Sequence, residues 1–145
     1  MPKITLDTSV LYQALHSTRG ASHQILQLVR QEQLTVALTV PVFLEYQEVL
    51  YRPEILREFG LTREEVDAVL DLLLLQGDLT AVPFLWRPNL PDPDDDLFVE
   101  CAWASQSEYL ITRNVRYFTL GELGPMAFAV VTPTRFCRQW RKEHE

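Results

Sequence analysis

The chain has 145 residues and a mass of 16.8 kDa, enough for one domain with its own hydrophobic core. Hydrophobic residues make up 47% and charged residues 23%, which argues against intrinsic disorder. Twenty acids against thirteen bases give a net charge of −7; that speaks against coating nucleic acid through bulk charge, but not against meeting it at one metal-loaded site.

Ile4-Thr5-Leu6 reads as a short strand closed by Asp7. A helical stretch follows and breaks near Ser17 to Gly20. Ser22 is a candidate cap for the next helix, whose apolar stripe is Ile25, Leu26, Leu28 and Val29. Leu34 to Val40 alternates into a second strand. Thr39 can cap a helix with Pro41 in its first turn, running through Leu50. A short helix covers residues 54–59. Thr62 and Glu65 form a capping box for a helix that ends at Gly77. Leu79 to Phe84 is a third strand, and Trp86 to Asp96 a proline-rich loop. Phe98, Cys101, Ala102 and Ser105 mark a helix. Tyr109 to Thr112 is a fourth strand and Phe128 to Val131 a fifth. Thr132-Pro133-Thr134 opens a C-terminal helix carrying Phe136, Cys137 and Trp140.

Strands alternating with helices predict an α/β fold over residues 1–145, with a mainly parallel sheet of about five strands covered on both faces. In such sheets ligands bind outside the carboxyl ends of the strands. That directs attention to Asp7, to Glu45 in the helix after strand two, and to Thr112-Arg113-Asn114 after strand four. Nothing at the start reads as a signal peptide, and no apolar run approaches the roughly 18 residues of a membrane span. Cys101 and Cys137, without a CxxC spacing, suggest packed thiols in a reducing cytoplasm. The three histidines have no zinc spacing.

The acids are the most informative residues. Asp92, Asp94, Asp95 and Asp96 crowd into one loop. A helix N-terminus accounts for one or two of them. Four together call for further compensation, which a hard divalent cation supplies through carboxylate oxygens. Asp7 suits either a helix cap or a ligand, and Thr8 or Ser9 could cap in its place. Glu45 borders an apolar face and needs a partner there.

LDTSVLY, LEYQEVLYRP, DPDDDLFVECAWASQSEYLITRN and VVTPTRF, in that order over nearly the whole chain, resemble a PIN domain. The likeness is closest to the VapC-like toxins of toxin–antitoxin systems. The resemblance implies a small three-layer α/β/α endoribonuclease that uses Mg²⁺ or Mn²⁺, forms a homodimer and is silenced by a cognate antitoxin. Carried over by position, the catalytic and metal-binding acids are Asp7, Glu45 and Asp95, with Asp96 as an alternative or additional ligand. Ser9 and Thr112 can hydrogen-bond those carboxylates. Asn114 stands where the family often has a fourth acid, which puts a second metal in doubt and keeps open a catalytically weak, protein-binding module. Arg113 and Arg116 are the candidate RNA contacts, with the arginines of the C-terminal helix beside them. Trp86, Trp103 and Trp140 suit core or interface better than base stacking.

Only Lys3 and Lys142 are lysines. Two other chemistries that place an aspartate after strand one, haloacid-dehalogenase-type phosphatases and receiver domains, need a lysine near it. Phosphatases of that type also need an acid where Ser9 stands.

Overall fold

The computed structural model describes residues 1–81, 96–116 and 128–144, with Asp96 described by its backbone alone. Within them the elements are β1 (Lys3–Leu6), α1 (Thr8–His16), α2 (Ala21–Arg30), β2 (Thr35–Leu38), α3 (Val40–Leu50), α4 (Pro53–Phe59), α5 (Arg63–Gln76), β3 (Asp78–Leu79), α6 (Asp96–Ser105), β4 (Tyr109–Ile111), β5 (Ala129–Val131) and α7 (Pro133–Glu143).

The sheet runs in the order β3-β2-β1-β4-β5, and every neighbouring pair is parallel. β1 is its pivot. The chain builds outward to β2 and β3 on one side, then crosses over α6 to β4 and β5 on the other. The order therefore reverses between β1 and β4, and in such sheets ligands bind outside the carboxyl ends at that switch point. α6 packs across β1, β2 and β4 with α3 beside it, while α1, α2 and α7 pack as a separate group. The result is a three-layer α/β/α arrangement with a sheet buried on both faces.

Local chemistry sets the helix starts. Thr39 accepts the Val42 N–H at 3.3 Å, and Pro41 falls in a first turn where its missing N–H costs nothing. Thr62 and Glu65 complete a reciprocal capping box, with bonds of 3.2 and 3.0 Å. Thr132 accepts the Arg135 N–H at 3.1 Å, and Pro133 opens α7. α4 ends at Gly60, whose φ of 64° suits a residue without a Cβ. Gly77 is required for another reason. A Cβ there would lie 2.2 Å from the Leu73 carbonyl oxygen and 2.9 Å from that of Val36. Only glycine lets the end of α5 pass this close to β2.

The core joins Ile4 and Leu6 of β1, Val36 and Leu38 of β2, and Leu110 and Ile111 of β4 to the inner faces of the helices. Cys101 and Cys137 are buried free thiols. Burial pushes both upward, Cys101 to about 11, so they are packing groups rather than nucleophiles.

Three expectations about boundaries shift. Ser22 does not cap α2. Gly20 occupies that position without a side-chain bond, and Ser22 lies one position inside the helix. The second strand stops at Leu38, because Thr39 already closes the first turn of α3 and Val40 is helical. The third strand begins one residue early, at Asp78, and its expected continuation over residues 82–84 lies outside the described residues. Trp86 and Asp92 to Asp95 lie outside them too.

Candidate functional site at the carboxyl edge of the sheet

Asp7 ends β1 at the switch point and is only 6% exposed. It stands in the N-cap position of α1 with extended dihedrals, yet its side chain makes no cap hydrogen bond. Two hydroxyls hold it instead. Thr112 Oγ1 donates to Asp7 Oδ2 at 2.7 Å, and Ser9 Oγ donates to the same oxygen at 2.8 Å. Each hydroxyl in turn accepts a backbone N–H from the loop after β4. Asn114 donates to Thr112 Oγ1 at 3.0 Å, and Arg113 donates to Ser9 Oγ at 3.4 Å. Accepting those N–H groups leaves each hydroxyl proton directed at the carboxylate. Two short relays thus tie residues 113 and 114 to Asp7. The backbone is locked here as well: Asp7 N–H donates to the Ile111 carbonyl at 3.0 Å, and Thr112 N–H to that of Val131 at 3.0 Å.

Burial raises the Asp7 pKa above its ordinary value of 3.8, countered in part by the Thr112 and Ser9 hydroxyls and by the N–H dipoles of Thr8 and Ser9. Among the described residues no cation pairs with Asp7. Thr8 Oγ1, next in the chain, is buried with no hydrogen-bond partner among them. A carboxylate desolvated, oriented and uncompensated in this way suits a hard cation.

Glu45 is half-buried on α3. Its neighbour Tyr46 is fully buried and donates its phenolic proton to the Leu6 carbonyl, one residue before Asp7. This bond pins α3 to the end of β1 and brings the helix turn that carries Glu45 to the Asp7 edge. Burial pushes the Tyr46 phenol well up, and the neighbouring Cys101 and Asp7 push it the same way, so it stays a donor at neutral pH. Asn114, Arg113 and Arg116 are exposed beyond β4, and Arg113 Nη1 donates to Gln13 Oε1 at 2.9 Å.

The structure therefore brings together Asp7, Ser9, Thr112 and the backbone of Arg113 and Asn114; Glu45 lies on α3, the helix that Tyr46 fastens to Leu6. α6 begins at Asp96. Asp95 lies outside the described residues. Among the described residues no three acidic, histidine or cysteine side chains form a group that could hold an ion. One acid escaped the sequence reading. Glu100, four residues after Asp96 on α6, is 1% exposed. Its signal was an acid inside the apolar run Leu97-Phe98-Val99-Glu100-Cys101-Ala102. Lys3 starts β1 and pairs with Asp78. A four-residue strand of about 13 Å separates it from the Asp7 end, which removes it from any chemistry at that carboxylate.

Residues 3–116 match the PIN domain family. The chain belongs to the PIN-domain family. No curated protein matches the chain. Among solved structures, the crystal structure of VapBC2 from Rickettsia felis, bound to a DNA fragment from their promoter, contains a similar chain. It shares 15% identity at a TM-score of 0.58, over 90% of this chain and 98% of that one. At that identity the likeness is one of fold. No helix among the described residues is long and apolar enough to cross a membrane.

Proposed function

We propose that this PIN domain is a metal-dependent endoribonuclease, the toxin of a toxin–antitoxin pair. The observation that carries this reading is the buried Asp7 carboxylate at the switch point, held by two hydroxyls and lacking a cation among the described residues. Asp7, Glu45 and Asp95 would hold Mg²⁺ or Mn²⁺, with Asp96 as a further ligand. A divalent ion there would supply an acidified water and charge neutralisation for the phosphodiester. Ser9 and Thr112 both donate to Oδ2 and so hold the Asp7 carboxylate in one orientation, which would leave Oδ1 for the ion. Glu45, on the helix anchored through Tyr46, orients the attacking water and takes its proton. Arg113 and Arg116, just beyond β4, hold the anionic backbone of the RNA. The thiols take no part.

A homodimer, a cognate antitoxin and a cytoplasmic setting belong to the same reading. Val40 and Leu44, 60% and 54% exposed and one turn apart on α3, offer an apolar strip for a protein partner.

The test is cleavage of a labelled single-stranded RNA by the purified chain. Cleavage should require Mn²⁺ or Mg²⁺, stop in EDTA and return on adding metal. Cleavage that persists in EDTA overturns the mechanism. One observation favours a second reading, a PIN domain that binds protein and does not cut: Asn114 is neutral where a fourth acid would stand. Calorimetry with Mn²⁺ separates the two, since the module reading requires no binding at millimolar metal.

A further inference from the structure

Between α1, the start of α2 and the start of α7 lies a cavity of about 340 Å³, lined by Gln13, Gly20 to Ser22, Arg113 and Thr132 to Thr134. We propose that it binds a backbone phosphate of single-stranded RNA beside the cleavage site, and that the basic face of α7 carries the strand onward. The inference rests on the ribonuclease reading and adds to it a phosphate subsite built away from the acids.

The lining is made of donors. In a chain with twenty acids, none of the described residues lining this cavity is acidic. The N-terminus of α2, a ten-residue helix, has no side-chain cap, because its cap residue is Gly20. The first N–H groups of a helix have no acceptor within it and favour an anion. Ser22, in that first turn, supplies an independent pointer to a ligand. It is 4% exposed and lines the cavity, and its hydroxyl has no hydrogen-bond partner among the described residues. The oxygen is not sealed from solvent but opens onto the cavity, where its proton is free to reach an anion. α7 adds a second N-terminus. Its Thr132 hydroxyl is taken by Arg135 N–H, which leaves Thr134 at the mouth.

Arg113 supplies the charge. Its guanidinium donates to the neutral Gln13, so its charge is not cancelled there. Its own N–H reaches Ser9, which holds Asp7. The cavity is therefore one residue removed from the proposed catalytic carboxylate. A space of that volume has room for a phosphate with part of its sugar.

A second groove of about 490 Å³ shares Thr132 and Thr134 and continues along Arg135, Arg138, Gln139 and Lys142. The three bases stand at positions i, i+3 and i+7 of α7, one helix face about 10 Å long. None of them forms an ion pair among the described residues. The inner face of the same helix is apolar, through Phe136, Cys137 and Trp140.

The experiment measures binding of a short fluorescent single-stranded RNA by anisotropy, in EDTA and over a range of salt. Thr134→Glu puts a carboxylate at the cavity mouth, at an exposed first-turn position where an acid favours the helix. It should weaken RNA binding about tenfold or more and lower the salt slope by about 0.7 for each phosphate no longer neutralised. Ser22→Ala should weaken binding about threefold, and Arg138→Gln with Lys142→Gln should lower the slope again. Circular dichroism checks that each variant folds. A chain that cleaves RNA, but whose RNA affinity and salt slope are unchanged in all these variants, overturns this proposal and leaves the ribonuclease reading standing. A wild-type chain that neither binds nor cleaves RNA overturns both. Inorganic phosphate titrated by amide NMR separates the two phosphate sources. Shifts at Ala21 and Ser22 that RNA competes away support the proposal. Shifts that RNA leaves untouched assign the cavity to free phosphate and overturn it.

Discussion

Asp7→Asn separates a metal ligand from a structural helix cap. The substitution keeps the shape and keeps an oxygen that can accept from both Ser9 and Thr112. It removes a charge that burial makes costly and that no ion pair among the described residues offsets. In EDTA at neutral pH the variant should therefore be more stable by about 1 kcal/mol, the scale on which functional residues trade stability for activity. For a chain of this size that is roughly 4 °C in Tm. The pH dependence follows from the raised pKa. The folded state binds the Asp7 proton more tightly than the unfolded state does. The contribution of Asp7 to stability is fully present below 3.8 and is lost as pH rises through the raised value. The gap between variant and wild type should open across that window and stay constant above it. Mn²⁺ at one hundred times its Kd should then stabilise the wild type by about 2.7 kcal/mol and leave the variant nearly unmoved, reversing the order of melting. The assay is thermal unfolding with and without Mn²⁺, alongside RNA cleavage, which should fall at least about a hundredfold. A variant that melts several degrees below wild type in EDTA would make Asp7 a structural residue and refute the reasoning.

Thr112→Val removes the hydroxyl that lowers the Asp7 pKa, so the acid limb of the pH–activity profile should move to higher pH, and Thr112→Ser should restore it. Gly77→Ala forces a methyl against two backbone carbonyls that cannot rotate away; chemical denaturation should show a loss of about 3 kcal/mol. Tyr46→Phe deletes the buried bond to the Leu6 carbonyl; a loss of about 1 to 3 kcal/mol in denaturation is expected, with a fall in kcat because α3 no longer holds Glu45 at the edge. Asn114→Asp adds a charge beside Thr112 and should tighten Mn²⁺ binding about tenfold in calorimetry.

The elements that were legible in the sequence are those with strong local chemistry. The Thr39, Thr62 and Thr132 caps each sit where a hydroxyl precedes a helix with an apolar stripe, and each closes its turn. Strands β1, β4 and β5 are short apolar runs, and the structure places all three. Ser22 misled because a serine before an apolar stripe looks like a cap, whereas the chain reaches α2 through Gly20, whose backbone needs no side chain to turn. Asp7, Ser9 and Thr112 could be named in advance because each ends or follows a strand in a parallel sheet. Hydrogen bonds from those hydroxyls to a carboxylate were expected as well; the backbone N–H groups of Arg113 and Asn114 that orient the hydroxyls were not, since only the β1–β4 pairing brings that loop to Asp7. Gly77 and the Ser22 cavity were invisible for the same reason. A close approach to Val36 and a gap between two helix starts are properties of packing, not of any local pattern.

The net charge of −7 is unevenly spread, and the distribution matters more than the sum. α5 carries Glu64, Glu65, Asp67 and Asp71 against Arg63, while α7 carries Arg135, Arg138, Arg141 and Lys142 against Glu143. At physiological salt the Debye length is about 8 Å, shorter than α7 itself, which is about 16 Å by its residue count. A strand approaching α7 therefore responds mainly to the bases within that range and little to the distant acids. The acids at the β1 edge would repel a phosphate at close quarters, which is where a bound cation is needed. The basic face needs none. Metal removal should accordingly abolish cleavage while sparing most of the RNA affinity contributed by α7, and raising salt should do the reverse, weakening RNA binding before it disturbs the turnover of bound RNA. If EDTA and salt instead weaken binding in parallel, the strand is held at the metal and the basic face is only solvated surface.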